Sequence, residues 1–211
     1  MNGMLRVGLT GGIASGKTTV AALLRKQGCQ VLDADLLGHD LMKPGQPAYG
    51  EIIGEFGEGI LAAGKSIDRA KLGAVVFAGE ARRLRLNQIL HPRIMEATEK
   101  WFATQAGQGA DVAFVEAALL IEAGYNKDLD RVIVCWSRAD QQLERLLGRG
   151  LSKKEAEQRM AAQMPGDEKR RLADRVIDCS GTLAKTERQV IDLLAALRQD
   201  ARAVSPTGNI S

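Results

Sequence analysis

The chain has 211 residues, a formal net charge of +3 and 45% hydrophobic residues, a length that suits one compact α/β unit with small inserted elements rather than two full domains. Interspersed, nearly balanced charge gives no mandate for a nucleic-acid or membrane partner, and no obligate protein partner is indicated. No apolar run approaches the roughly 20 residues that span a bilayer. The first predicted element is an apolar strand, Leu5 to Leu9. It feeds Gly11-Gly12-Ile13-Ala14-Ser15-Gly16-Lys17-Thr18, a complete Gly-x-x-x-x-Gly-Lys-[Ser/Thr] phosphate-binding loop. The glycines let backbone N–H groups turn onto phosphates, Lys17 supplies a mobile cation for the β/γ-phosphates, and Thr18 offers its hydroxyl to Mg²⁺. From Thr19, itself a candidate nucleotide contact, Val20, Ala21, Leu23 and Leu24 recur at helical spacing, so the loop opens a helix whose N-terminus adds to anion binding. The ligand expected here is a nucleoside triphosphate, ATP being the usual one.

A second strand, Gln30 to Leu32, ends at Asp33-Ala34-Asp35. A carboxylate there can receive a hydroxyl proton from an acceptor substrate, with Asp33 as the candidate base. The competing reading is an N-cap for the next helix, which fits Asp35 better than Asp33. From there to Gln108 the pattern is helical, punctuated by Lys43 to Pro47 and by the glycine-rich Gly54 to Gly64. Asp68-Arg69 reads either as a helix start or as part of a site. Leu72, Val76, Phe77, Leu84, Ile89 and Ile94 supply the apolar positions, and Pro92 signals a helix break after His91. A lone histidine such as His91, followed by Arg93, is more often packed or capping than a ligand.

Asp111 to Val115 is a third strand ending at Glu116, where phosphate-loop enzymes carry the acid that holds Mg²⁺, here through a metal-bound water. Glu122 competes for that role, and a surface ion pair is the alternative for each. Asn126-Lys127-Asp128-Leu129 resembles a guanine-reading motif but has Leu129 at the fourth position, which argues against a guanine switch. After the strand Arg131 to Trp136, Ser137 is the expected N-cap of a helix carrying Leu143, Leu146 and Leu147. Arg138, Arg145, Arg149 and Arg159 surround the turn Gly148-Arg149-Gly150, a pattern suited to a lid that closes over ATP and neutralises charge on the transferred phosphoryl group, with Arg149 the leading candidate. Ser152 to Glu155 is a capping box, predicting a helix to Met164 that Pro165-Gly166 stops. A last strand, Arg175 to Ile177, precedes a helix from about Leu183 to Arg198 with Leu183, Val190, Leu194 and Leu197 on one stripe, and 199–211 reads as a frayed tail.

Strands alternating with helices predict a five-stranded parallel sheet with helices on both faces. Ligands then bind beyond the strands' carboxyl ends, where Gly11, Asp33, Glu116, Ser137 and Asp178 fall. The expected organisation is a single unit: a core of 1–35, 109–137 and 172–198, a helical insertion over 36–108 and a lid over 138–171. Cys29, Cys135 and Cys179 lie far apart without metal spacing, so reduced thiols and a cytoplasmic setting are expected, and the N-terminus lacks a signal-peptide pattern.

From about Arg6 to Gly181 the chain resembles the dephospho-coenzyme A kinases. The shared motifs, in order, are Gly8 to Thr18, Asp33-Ala34-Asp35, Ile67-Asp68-Arg69, Val76-Phe77, Leu86 to Pro92, Leu119 to Glu122, the lid segment Arg145 to Gln163, and Ala173 to Asp178. The resemblance implies transfer of the γ-phosphoryl of ATP to the ribose 3′-hydroxyl of dephospho-coenzyme A, with Mg²⁺, as the last step of coenzyme A synthesis. It also implies Asp33 as base, the insertion as acceptor-binding element with Asp35, Arg69, His91 and Arg93 shaping the acceptor site, Glu116 near metal and acceptor, and Lys17 and Arg149 acting on the phosphates. Three positions depart from the family pattern: in the segment Glu116 to Glu122 the usual Asp is Glu116 and the usual proline is Ala118, and Cys179 replaces the usual Asn. A shikimate-type kinase, or a nucleotide-gated regulatory protein, are the alternatives.

Overall fold

The computed structural model describes residues 3–204, in two compact units: the described residues up to Leu32 together with those from Phe102 onward, and Asp33–Trp101. In chain order, β1 (Leu5–Thr10), α1 (Lys17–Lys26) and β2 (Gln30–Asp33) are followed by α2 (Ala34–Leu41), α3 (Pro47–Phe56), α4 (Arg69–Phe77) and α5 (Glu80–Gly107). Then come β3 (Val112–Glu116), β4 (Arg131–Trp136), α6 (Ala139–Leu147), α7 (Lys153–Ala161), α8 (Gly166–Arg171), β5 (Arg175–Asp178) and α9 (Leu183–Val204). Among the described residues, no helix is long and apolar enough to cross a membrane.

The strands form the expected five-stranded parallel sheet, in the order β2-β3-β1-β4-β5. Leu9 of the central strand lies opposite Glu116 on one side and Ile133 on the other. A sheet buried on both faces needs continuous apolar runs, and every residue of β3 is buried. On one face Val7, Leu9, Phe114 and Ile133 pack with Val20 and Leu24 of α1 and Leu194 and Leu197 of α9. Each such side chain contributes about 1.5–3 kcal/mol of transfer free energy. On the other, a side chain at Gly8 would come within 2.7 Å of Leu129 and 2.8 Å of Leu120, so glycine is what lets that segment lie against the strand.

The second unit has its own core of Ala48, Ile52, Ile60, Leu72, Val76, Ile89 and Leu90. Two of its helix starts are capped by carboxylates, while α3 begins at Gln46 with no side-chain cap. Asp33, not Asp35, caps α2, accepting from Leu36 N–H, because β2 runs one residue further than its apolar pattern and delivers Asp33 in extended conformation. Asp68 caps α4.

Several expectations fail for identifiable reasons. α5 does not break but continues through Pro92 for 28 residues. The lost hydrogen bond and ring clash, about 3 kcal/mol, are offset by burial of Ile89 and Leu90 just before it. Leu84 is 50% exposed and Leu183 61% exposed, so neither joins a core. Gly54 does not punctuate; it lies within α3. Ser137 does not cap α6: the N-cap position is Arg138, while Ser137 is buried and its hydroxyl accepts from Arg145. α7 does begin with the Ser152–Glu155 capping box but stops at Ala161, and Pro165 begins the unpredicted α8 rather than merely ending its predecessor. α9 continues past Arg198 to Val204 because Ala201 still packs in the core. Residues 205–211 of the expected tail, and the side chain of Phe77, lie outside the described residues.

Candidate active site

The phosphate loop leaves the sheet from its central strand. A side chain at Gly11 would meet the Cys135 carbonyl at 2.4 Å, so only glycine lets the chain exit β1 beside β4. Ala14 and Gly16 take left-handed backbone with φ of 58° and 110°, and a side chain at Gly16 would meet Cys179 Cβ at 2.7 Å. Gly16 caps α1 without a side chain, and the first helical bond is Val20 N–H to Gly16 at 3.0 Å. The N–H groups of the first turn, at Lys17, Thr18 and Thr19, are therefore left for an anion, as helix N-termini leave them. Ser15 is the exception among the loop's candidate contacts: its hydroxyl is buried without a hydrogen-bond partner.

Lys17 Nζ bonds Glu116 Oε1 at 2.8 Å, and Arg25 Nη2 lies 3.8 Å from the other oxygen. Glu116 is 3% exposed, so the surface ion pair expected as its alternative is absent; the carboxylate is sealed between two cations at the loop. Glu122 is engaged elsewhere, accepting from Met164 N–H at 3.1 Å and pairing with Lys169 at 2.9 Å. Hard oxygen donors, the Thr18 hydroxyl and the Glu116 carboxylate, are the chemistry Mg²⁺ takes, and Mg²⁺ commonly needs only one or two carboxylates plus substrate phosphates.

The segment after β4 grips the loop from α6 and from the connection between α7 and α8. Arg145 donates to the Ala14 carbonyl at 2.9 Å, to Ser137 Oγ at 3.2 Å and to the Cys179 carbonyl at 2.8 Å. Gln163 Oε1 accepts from Ile13 N–H at 2.7 Å. Lys169, wholly buried, donates to the Ala118 carbonyl at 2.8 Å. Arg149 is exposed and lines a cavity of about 230 Å³ with Ala14, Gly16, Thr19, Arg145 and Cys179. Arg138 instead pairs with Asp140 on the surface. Cys179 is buried, its thiol turned to the Ile177 carbonyl, and burial pushes the neighbouring Cys135 thiol well up. Sequence reasoning reached Gln163 only as the end of the segment Arg145 to Gln163, without a role of its own, and missed Lys169. Nothing local marks a lone glutamine after α7, and a lysine inside Asp167-Glu168-Lys169-Arg170-Arg171 reads as solvated.

In the second unit, Asp33 is half-buried at the carboxyl end of β2 and Asp35 is exposed in the first turn of α2. One turn on stands His39, also missed, whose Nδ1 is buried without a hydrogen bond. Burial and then the charge of Arg69 lower its pKa, against the opposing pull of Asp35, Asp33 and Asp40, so these groups form one electrostatic cluster. Arg69 itself is exposed at the start of α4. Arg93 is committed within its unit to Glu51 and the Ile89 carbonyl, and His91 is half-buried, its pKa lowered by that burial.

Comparison with known proteins adds independent findings. Residues 5–185 match a family model described as dephospho-CoA kinase. The dephospho-CoA kinase of Geobacter metallireducens is 46% identical over 191 residues, covering 90% of this chain and 95% of that protein. The crystal structure of TT1252 from Thermus thermophilus aligns at a TM-score of 0.79 with 32% identity, over 92% of this chain and 98% of the other. Dephospho-CoA kinase from Campylobacter jejuni aligns at 0.70 with 25% identity over the same shares.

Proposed function

The chain belongs to the dephospho-CoA kinase family, kinases that transfer phosphate to an alcohol group, and we propose that it moves the γ-phosphoryl of ATP onto the ribose 3′-hydroxyl of dephospho-coenzyme A. The products are coenzyme A and ADP. The observation that carries this reading is the complete phosphate loop, with Lys17 held on buried Glu116 and the loop backbone gripped by Arg145 and Gln163. Positioning and charge neutralisation are the main devices such a transfer requires. The loop residues from Gly11 to Thr19 bind the triphosphate, Lys17 follows the β/γ-phosphates, and Arg149 contributes charge from the cavity rim. Thr18 would hold Mg²⁺ by its hydroxyl and Glu116 through a water, and the ion when bound supplies further neutralisation of the phosphates. Asp33 takes the proton of the acceptor hydroxyl.

On the same reading the second unit receives the acceptor, with Asp35 and Arg69 on its exposed surface and His91 and Arg93 shaping the packing behind them. α6 to α8 serve as the lid. Three free, buried thiols fit a reducing compartment such as the cytoplasm. Incubation with ATP and Mg²⁺ beside dephospho-coenzyme A, shikimate or nucleosides tests the assignment. Only dephospho-coenzyme A should gain a phosphoryl group, at the 3′ position by phosphorus NMR; a phosphorylated shikimate or nucleoside instead would sink it.

A further inference from the structure

We propose that Gln163 is a further positioning residue of the donor site: its carbonyl fixes the Ile13 peptide of the phosphate loop while its amide hydrogens serve the incoming triphosphate. This rests on reading the loop as the ATP site. Ile13 N–H is a donor, so the end of the Gln163 amide that meets it, at 2.7 Å, is the oxygen. The other end carries two donors, and Nε2 makes no hydrogen bond among the described residues. A neutral amide can thus satisfy a loop N–H without placing negative charge where phosphates bind. The amide lies close beside the loop: the Cβ position of Gly12 is 3.9 Å from Gln163 Oε1, an ordinary contact, and 3.2 Å from Gln142 Oε1.

The position of this amide is not left to a loose connection. Met164, the next residue, donates its N–H to Glu122 at 3.1 Å. Glu122 in turn holds Lys169 at 2.9 Å, and Lys169 donates to the Ala118 carbonyl at 2.8 Å. Gln163 is therefore anchored on the segment that follows β3, the strand whose last residue, Glu116, holds Lys17. Glu122 acts through this anchor, as a positioning residue for Gln163.

The test is ATP titration of the intact protein and its Gln163→Glu and Gln163→Met variants, with melting temperature and adenosine binding measured alongside. Glu keeps an acceptor for Ile13 N–H but sets an anion against the phosphates, so Gln163→Glu should bind ATP at least about tenfold more weakly. That deficit should shrink between about 0.1 M and 1 M salt, as the screening length falls from about 10 Å to about 3 Å. Gln163→Met should lose about fivefold, one net hydrogen bond, with little salt dependence. Adenosine binding should be unchanged in both. Gln163→Glu within twofold of the parent, or a deficit that salt does not relieve, overturns the proposal and leaves Gln163 a structural contact. These readouts need no acceptor: the predicted ATP effects with no phosphorylation of dephospho-coenzyme A would keep the Gln163 assignment and reject the proposed function.

Discussion

At Asp33 one carboxylate oxygen already accepts Leu36 N–H at 2.9 Å, so the proposed base is also the cap of α2. The two duties separate by substitution. Asparagine caps as well as aspartate, so Asp33→Asn should leave the fold and ATP affinity intact while turnover falls at least about 10²-fold. Asp33→Ala should add a loss of stability of about 1 kcal/mol from the missing cap. Near-normal turnover in the asparagine variant would remove Asp33 from the chemistry. The phosphate loop was legible because its backbone demands glycine and lysine at fixed spacing. His39 was not, since its environment comes from Arg69 thirty positions later, and no local pattern announces a fold-made charge cluster.

α8 shows how an element escapes sequence reading. Helical periodicity is detected through apolar residues, but the buried position of Gly166–Arg171 is a lysine. Strands such as Arg131–Trp136 carry their burial in their composition and were found to the residue. Pro92 misled in the other direction, since the packing that sustains α5 comes from α3 and α4 residues in the same core. If Lys169 holds α8 in place, Lys169→Met should cost about 3 kcal/mol, as breaking a buried pair from one side does. Lys169→Met with Glu122→Gln should recover much of that, because the unpaired carboxylate is then gone. Urea unfolding measures both; an unchanged midpoint for Lys169→Met would show that α8 is held by other contacts.

Across the molecule, both histidines of the chain, His39 and His91, fall in the second unit, and burial lowers the pKa of each. A folded-state pKa below the ordinary value near 6.5 means the unfolded chain binds more protons as pH falls. This contribution is therefore present above about pH 6.5 and is lost as pH drops through the folded-state values. Hydrogen exchange at about pH 7.5 and 5.5 should show the second unit losing protection first, and His39→Gln should reduce the difference. Equal loss of protection in both units would mean that these imidazoles do not govern the acid response.

β1 is made first and sits in the middle, paired with β3 and β4. Leu5 finds its partner Val112 only after the intervening chain is synthesised, about 5–20 s later at ribosomal rates of about 5–20 residues per second. Over that interval the apolar strand and its phosphate loop have no sheet to join. The core from Ala48 to Leu90 is complete before β3 emerges and can collapse on its own. The nascent chain thus assembles its second unit while the phosphate loop is still without its sheet, and β1 is the stretch that a chaperone would have reason to hold.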